Sequence, residues 1–143
     1  MKKSNAVNAP RVAVGAVVFK EGKILLVKRM KAPHKNKWSI PGGSVNLGET
    51  LQTAAERETR EETGLTIHAH TPIHTFDLIE KDDSGKIRFH YVIVDVEADY
   101  IGGRLKPADD ALDAGWFGPE DLDRLSMTES TRRFLKRLPF IPR

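Results

Sequence analysis

The chain has 143 residues, of which 39% are hydrophobic and 30% are charged, a length and balance typical of one compact domain. It contains no cysteine, which excludes disulfide scaffolds and thiolate zinc sites and favours a cytoplasmic location. Its apolar stretches are far shorter than the roughly 18 to 20 residues that cross a bilayer. The charged N-terminus also lacks the apolar segment of a secretory signal. We therefore predict no membrane partner.

The net charge of +3 hides a strong segregation along the chain. Residues 1–37 carry +9 and residues 124–143 carry +5, so the segment between them carries −11. Basic ends interleaved with apolar residues are typical of solvated faces, and nucleic acid is therefore not expected as a partner. The acidic centre requires a separate explanation if its carboxylates converge.

The order of the predicted elements indicates a mixed α/β domain. Two aliphatic runs near the N-terminus are separated by a short polar turn and predict a β-hairpin. Pro41-Gly42-Gly43 predicts a break before a helix with Thr50 as its N-cap and Gly64 as its C-cap. The predicted strands cover 11–19, 23–29, 38–40, 65–74, 76–80, 86–97 and 116–117, the predicted helices cover 50–63, 119–125 and 128–138, and Gly102-Gly103 is predicted to lie in a loop.

This pattern predicts the arrangement of layers. Strands interrupted by one central helix and followed by C-terminal helices favour a mixed sheet with helices on both faces. No repeat or low-complexity tract divides the chain. We assign residues 11–143 to a single domain, preceded by a flexible N-terminal segment over residues 1–10.

Three glutamates of the central helix lie on one face. At about 100° per residue, Glu58, Glu61 and Glu62 fall within an arc of about 100°. Like charges at these spacings repel, and no basic residue follows at i+4 from Glu58 or Glu61. A divalent cation would offset the repulsion, because Mg²⁺ and Mn²⁺ select oxygen ligands. An acidic face kept for solubility is the alternative interpretation.

The residues around this helix suit a ligand site. Arg57 can pair with one of the carboxylates and fix its orientation. Pro41-Gly42-Gly43 supplies backbone with no side chain to block a ligand. Arg29 is a candidate for phosphate contact and Trp38 for stacking on a base, although such residues are more often a solvated charge and a core aromatic.

Residues 43–65 resemble the 23-residue signature of the Nudix hydrolases, Gly-x5-Glu-x7-Arg-Glu-U-x-Glu-Glu-x-Gly-U, in which U is apolar. Eight of its nine specified positions agree. The exception is Thr59, where the family usually has an aliphatic residue, and we expect a small loss of stability and no loss of chemistry. Trp38-Ser-Ile-Pro-Gly-Gly and Trp116-Phe-Gly-Pro-Glu-Asp-Leu are also similar to the family, so the resemblance covers most of residues 11–125.

The resemblance implies an α/β fold, namely a Nudix-type α/β/α sandwich with a mixed β-sheet. It also implies hydrolysis of a phosphoanhydride in a nucleoside diphosphate linked to another group, with Mg²⁺ or Mn²⁺ as cofactor. The implied metal ligands are the Gly42 carbonyl, Glu58, Glu61 and Glu62. The implied catalytic set is Glu61, Glu62, Arg57, Glu49 and Asp110. The predicted substrate-binding residues are Arg29, Trp38 and Gly43.

The roles within the catalytic set are not equivalent. Glu49 and Arg57 are expected to orient other groups rather than to touch the substrate. The general base is left open between Glu61, Glu62 and a carboxylate of a later loop. Asp109 and Asp110 stand where many relatives carry a glutamate, and their shorter side chains differ from that pattern.

The substrate is predicted from weaker similarity. The segment from His90 to Phe117 is similar to short bacterial Nudix proteins described as ADP-ribose pyrophosphatases, which favours ADP-ribose cleaved to AMP and ribose 5-phosphate. A MutT-like nucleoside triphosphate pyrophosphohydrolase that clears oxidised nucleotides is the alternative. A non-catalytic ligand sensor or RNA-binding module is the alternative from another class, and the intact glutamates argue against it. We expect a small-molecule nucleotide substrate and a monomer or homodimer.

Overall fold

The computed structural model describes residues 7–31 and 34–138. Its elements in chain order are β1 (Arg11–Lys20), β2 (Lys23–Arg29), β3 (Trp38–Ser39), β4 (Gly42–Ser44), α1 (Leu51–Thr63), β5 (Leu65–Lys81), β6 (Ile87–Gly103), β7 (Ala111–Phe117), a 3₁₀ turn (Pro119–Arg124) and α2 (Glu129–Leu135). The strands form one sheet in the order β3-β2-β1-β6-β5, with β4 paired to β1 and β7 paired to β2. Because β1 runs parallel to β6 and antiparallel to β2 and β4, the sheet is mixed, as predicted.

Helices cover both faces of the sheet, as the sequence predicts. Val14, Ala16 and Val18 of β1 are buried in one apolar cluster with α1. Val17 and Phe19 point to the opposite face and are buried in a second cluster with α2. Side chains of a strand alternate between the two faces of its sheet, so burial on both faces explains why β1 is almost continuously apolar.

The caps of α1 are confirmed. The Thr50 side chain accepts a hydrogen bond from the Thr53 backbone N–H at 3.0 Å. The helix ends at Gly64, whose φ of 78° lies in the left-handed region and whose N–H donates to the Arg60 carbonyl at 2.9 Å. These local signals set both ends of the helix that carries the acidic face.

Two glycine pairs that were predicted to interrupt strands lie within strands instead. Gly42–Ser44 forms β4, which pairs with Ala13–Gly15 of β1. A Cβ atom on Gly42 would overlap the backbone of β1, so glycine is what allows the two strands to approach. Gly102 and Gly103 likewise pair with the start of β5 rather than forming a loop. Turn-forming composition alone does not reveal such non-local pairing.

Other boundaries also differ from the predictions. The predicted strands 65–74 and 76–80 are one strand, β5, because register shifts on both sides of Pro72 absorb the irregularity. The helix predicted over 119–125 is a 3₁₀ turn, and the one over 128–138 is the shorter α2. Residues 1–6 of the predicted flexible segment and 139–143 of the predicted domain lie outside the described residues. In the described ranges, we find no helix of the length and apolarity that a membrane crossing requires.

Thr59→Val is expected to stabilise the protein. Thr59 is fully buried, and its hydroxyl has no hydrogen-bond partner in the described part of the chain. An unpaired buried hydroxyl costs on the order of 1 kcal/mol or more, and valine keeps the branched shape at a similar helix propensity. Urea unfolding should therefore show a gain of about 1 kcal/mol in the free energy of unfolding.

Thr63→Val is the matched control, since Thr63 is equally buried in the same helix. Its hydroxyl donates to the Thr59 carbonyl at 2.6 Å and accepts from the Leu65 N–H at 3.2 Å. This substitution should lower the free energy of unfolding. A loss of stability in Thr59→Val as large as that in Thr63→Val would contradict the expectation.

Candidate active site

A cleft of about 420 Å³ lies beside the short strand β4. The paired segments of β1 and β4 form part of its wall, and α1 contributes two glutamates to it. The predicted site residues that line it are Gly42, Gly43, Glu58, Glu62, Arg29 and Asp110. Glu49, Arg57, Glu61 and Trp38 are not among the lining residues. The structure therefore separates the predicted set into groups that face the cleft and groups that lie behind or beside it.

Arg57 joins three glutamates to β4. Its Nε and Nη2 donate to the two oxygens of Glu49 at 2.6 and 3.0 Å. Its Nη1 donates to Glu58 Oε2 and to Glu61 Oε1, both at 3.1 Å. Nη2 also donates to the Ser44 carbonyl at 3.0 Å, which ties the helix to the strand. The planar fork of donors of a guanidinium allows one side chain to make all these contacts.

Glu49 anchors the turn between β4 and α1. Its carboxylate accepts a hydrogen bond from the Asn46 backbone N–H at 2.9 Å in addition to those from Arg57. The hydrogen bonds from Arg57, and next that from Asn46, lower the pKa of Glu49 to about 2. The side chain is only 12% exposed. Glu49 therefore lies against Arg57 and the turn before α1, outside the cleft lining.

Glu62 presents a buried carboxylate to the cleft. Its residue is only 6% exposed, and its Oε1 accepts a hydrogen bond from the Gly42 backbone N–H at 3.1 Å. Burial, and next the charge of Glu58, raise the pKa of Glu62 to about 8. Burial also raises the pKa of Glu58, although Arg57 opposes the shift. Two carboxylates one helical turn apart are thus held in a poorly solvated wall.

This donor set fits a hard divalent cation. A cation would offset both the desolvation of Glu58 and Glu62 and their mutual repulsion, and Mg²⁺ is commonly held by one or two carboxylates with water and phosphate completing its shell. As the side chains lie, no three His, Asp or Glu groups within residues 7–31 and 34–138 converge on one point. Glu61 is turned towards Arg57 and its side chain is 44% exposed. Of the three predicted carboxylate ligands, the structure brings Glu58 and Glu62 to the cleft.

Gly43 leaves space for the side chain of Glu58, one of the implied metal ligands. A Cβ atom at this position would overlap the Glu58 carboxylate. The absence of a side chain at Gly43 therefore allows Glu58 to occupy this position. Substrate contact, which the sequence predicts for Gly43, is compatible with its place in the lining but is not needed to explain the glycine.

Charged groups of two loops meet at the mouth of the cleft. Lys31 Nζ lies 3.0 Å from Asp110 Oδ1, and both side chains are well exposed. Asp109, the residue before, has a φ of 55°, which turns the chain sharply at this point. Arg29 lines the cleft and its charge opposes the rise in the pKa of Glu62. Of the two aspartates predicted as alternatives for the general base, Asp110 is the one that lines the cleft.

Trp38 has a different environment from the one that base stacking requires. Its ring packs edge-on against Phe117, with ring centroids 4.9 Å apart, and it belongs to the apolar cluster beneath α2. Its backbone pairs with Lys28 in β2 and bridges to Met127. The placement of Trp38 therefore agrees with the core aromatic that the sequence left as the alternative, and it gives no support to a substrate contact.

The sequence does not reveal a further part of the cleft wall. Phe76 and Phe134 line the cleft beside His74, together with the buried carboxylate of Asp95. Asp95 Oδ2 lies 3.0 Å from Nδ1 of His74 on the neighbouring strand. The available signal was a single charged residue within the apolar run from Tyr91 to Val96, because a carboxylate in the middle of a buried strand needs a partner or a ligand.

The chain matches the NUDIX domain over residues 9–138. It is 37% identical to an ADP-ribose pyrophosphatase of Methanocaldococcus jannaschii over 126 residues, which are 88% of this chain and 72% of that protein. The crystal structure of a MutT NUDIX hydrolase from Burkholderia pseudomallei is similar, with a TM-score of 0.77 and 32% identity over 92% of this chain and 100% of the other.

A third similarity concerns the fold alone. A bifunctional NMN adenylyltransferase/ADP ribose pyrophosphatase from Francisella tularensis, complexed with AMP and a manganese ion, has a TM-score of 0.71 at 24% identity, over 91% of this chain and 41% of that one. The matched NUDIX domain runs from before β1 to the end of α2, and so includes the Arg57 network and the cleft. The chain belongs to the Nudix hydrolase family.

Proposed function

We propose that this Nudix hydrolase cleaves the diphosphate of ADP-ribose to give AMP and ribose 5-phosphate, with Mg²⁺ or Mn²⁺ as cofactor. The observation that carries the proposal is one cleft lined by the buried carboxylate of Glu62, by the half-buried Glu58 and by the aromatic side chains of Phe76 and Tyr91. Such a cleft suits a ligand with an anionic diphosphate and a planar base. The 37% identity to an ADP-ribose pyrophosphatase over most of both chains supports the choice of substrate.

Glu58, Glu62 and the carbonyl of Gly42 are the groups that would hold the cation. A divalent cation held by these groups would neutralise the diphosphate and would lower the pKa of the attacking water. The protein orients the two carboxylates in advance, since Arg57 fixes Glu58 and the Gly42 N–H fixes Glu62. This preorganisation reduces the entropy lost when the substrate binds.

The remaining groups of the cleft suit the other demands of the reaction. Arg29 provides a guanidinium whose geometry matches a phosphate oxygen pair. Of the groups predicted as general base, Glu62 and Asp110 line the cleft, whereas Glu61 lies on the exposed side of Arg57. We therefore place the attacking water on the side of the cleft shared by Glu62 and Asp110.

ADP-ribose with Mg²⁺ should give AMP and ribose 5-phosphate in equal amounts, because hydrolysis at the diphosphate separates the molecule into these two monophosphates. The assay separates the products by chromatography for ADP-ribose, the common nucleoside triphosphates and 8-oxo-dGTP. Chelation with EDTA should stop turnover and added Mg²⁺ should restore it. Release of pyrophosphate from a triphosphate, with ADP-ribose untouched, would instead indicate the MutT-like activity.

Glu62→Gln should lower turnover by at least about 100-fold at saturating Mg²⁺, because it removes a ligand charge from a metal site without changing the shape of the side chain. Glu56→Gln is the matched control on the same helix. Glu56 accepts a hydrogen bond from the Ala69 N–H at 2.9 Å outside the cleft lining, and a glutamine oxygen can keep that bond. Steady-state rates of both variants test the assignment, and full activity in Glu62→Gln would refute it.

Glu49→Gln should lower turnover less than Glu62→Gln, by about 10- to 100-fold, as expected for a group that orients another residue. A loss equal to or larger than that of Glu62→Gln would place Glu49 in contact with the reacting groups.

The contribution of the Glu49–Arg57 pair to stability should disappear in acid. Because the pKa of Glu49 falls from 4.5 to about 2 on folding, the pair stabilises the fold fully above the unfolded value. The stabilisation is lost as the pH falls through the folded value. The difference in Tm between the wild type and Glu49→Gln should thus be constant near neutral pH and shrink between 4.5 and about 2. A difference that grows on acidification would contradict this account.

A further inference from the structure

The cleft is also lined by a carboxylate that the proposed hydrolysis does not use. Asp95 lies in the middle of β6 and is only 3% exposed, yet it lines the cleft. Burial raises its pKa, and the hydrogen bond with His74 opposes the shift only in part. A buried carboxylate lowers the stability of the fold unless its oxygens are paired, so its retention at a cleft wall calls for a ligand.

The carboxylate is held in a fixed orientation. Asp95 Oδ2 lies 3.0 Å from His74 Nδ1, which donates because a carboxylate can only accept. The imidazole of His74 stacks on Phe134 of α2, with ring centroids 4.4 Å apart and planes inclined by 13°. Because one oxygen of Asp95 is engaged by His74, the other, Oδ1, is the one available to a ligand in the cleft.

Gly15 provides the space that Oδ1 occupies. Gly15 pairs with Asp95 on one side and with Gly42 on the other, so the three residues form a row across β6, β1 and β4. A Cβ atom at Gly15 would overlap Asp95 Oδ1 and lie 2.6 Å from Ile40 Cδ1. Glycine inside a strand often marks a place where a ligand or another group approaches closely.

The position of Asp95 relative to the glutamates suits a nucleotide. Two strand spacings separate the backbones of Asp95 and Gly42, about 10 Å, and Gly42 donates to Glu62. The base edge and the diphosphate of a nucleotide are separated by a distance of the same order. Phe76 lines the cleft beside the His74 that binds Asp95 and, being only half-buried, offers apolar surface to a planar ring.

We propose that Asp95 is a specificity-determining residue: its Oδ1 accepts a hydrogen bond from the exocyclic amino group of the substrate's base, and His74 holds the carboxylate for this contact. The inference rests on the proposed function, since it assigns the base of the same substrate. An amino group at the six position of the purine donates to Asp95, as in adenine. A carbonyl oxygen at that position, as in hypoxanthine, would bring a second acceptor against Asp95 Oδ1. The enzyme should therefore reject a substrate that carries this base.

The test compares ADP-ribose with the inosine analogue IDP-ribose. Wild type should prefer ADP-ribose in kcat/KM by about tenfold or more, since a hydrogen bond to a charged group is at stake. Asp95→Asn should bring the ratio close to one, because its amide can present either a donor or an acceptor in the same shape. The variant should keep a Tm at least equal to that of wild type, since it removes a buried charge.

Asp99→Asn is the matched control. Asp99 lies four residues further along β6 and also pairs with a histidine of β5, since its Oδ2 is 2.6 Å from His70 Nε2. It is well exposed and is not among the residues that line the cleft. The ratio of kcat/KM for ADP-ribose to kcat/KM for IDP-ribose in Asp99→Asn should equal that of wild type. Equal turnover of the two substrates by wild type, or an unchanged ratio in Asp95→Asn, would overturn the inference while leaving the hydrolytic function intact.

A binding measurement keeps the inference separate from the reaction. Calorimetry with AMP and IMP should show tighter binding of AMP by wild type, and the difference should vanish in Asp95→Asn. If neither ADP-ribose nor IDP-ribose were hydrolysed, the proposed function would fail. A retained preference for AMP over IMP would still support the role of Asp95. Equal affinity for AMP and IMP, or no binding of either, would overturn that role.

Discussion

The arrangement of the cleft depends on the guanidinium group of Arg57. It binds Glu49, Glu58 and Glu61 and reaches the Ser44 carbonyl, so it connects α1 to the strand that forms the cleft wall. One positive charge among three carboxylates leaves the network negative, and Glu62 adds a further acid that Arg57 does not bind. The arginine therefore makes the acidic face compatible with folding and leaves enough negative charge to attract a cation.

The second constraint is the register of three strands. Asp95, Gly15 and Gly42 lie in one row across the sheet, and both glycines leave space that a Cβ atom would fill. A shift of one residue would bring the side chains of β1 that now pack beneath α1 to the cleft side. Strand pairing thus fixes the floor of the cleft, and the position of Glu62 follows because Gly42 donates to it.

The parts that the sequence predicted correctly are those with local signals. Thr50 and Gly64 set the ends of α1, and the spacing of Glu58 and Glu62 places them on one face of it. The parts it missed depend on contacts between distant segments. The half-buried Trp38 packs against Phe117 of a different strand, and Gly42 lies in a strand only because β1 is beside it.

The aspartate–histidine pair shows the same limit of local reasoning. Asp95 and His74 are 21 residues apart and meet through the antiparallel pairing of β5 and β6. The sequence offers only a charged residue inside an apolar run, which indicates a buried polar group but not its partner. Glu62 and Asp95 each lower the stability of the ligand-free fold, because burial raises the pKa of both. A cation beside Glu62 and a base amino group beside Asp95 would offset these costs, so binding of either would also raise the stability of the fold. Thr59 is the contrast: its buried hydroxyl does not line this cleft, so a ligand bound there would not supply the hydrogen bond that the hydroxyl lacks among the described residues.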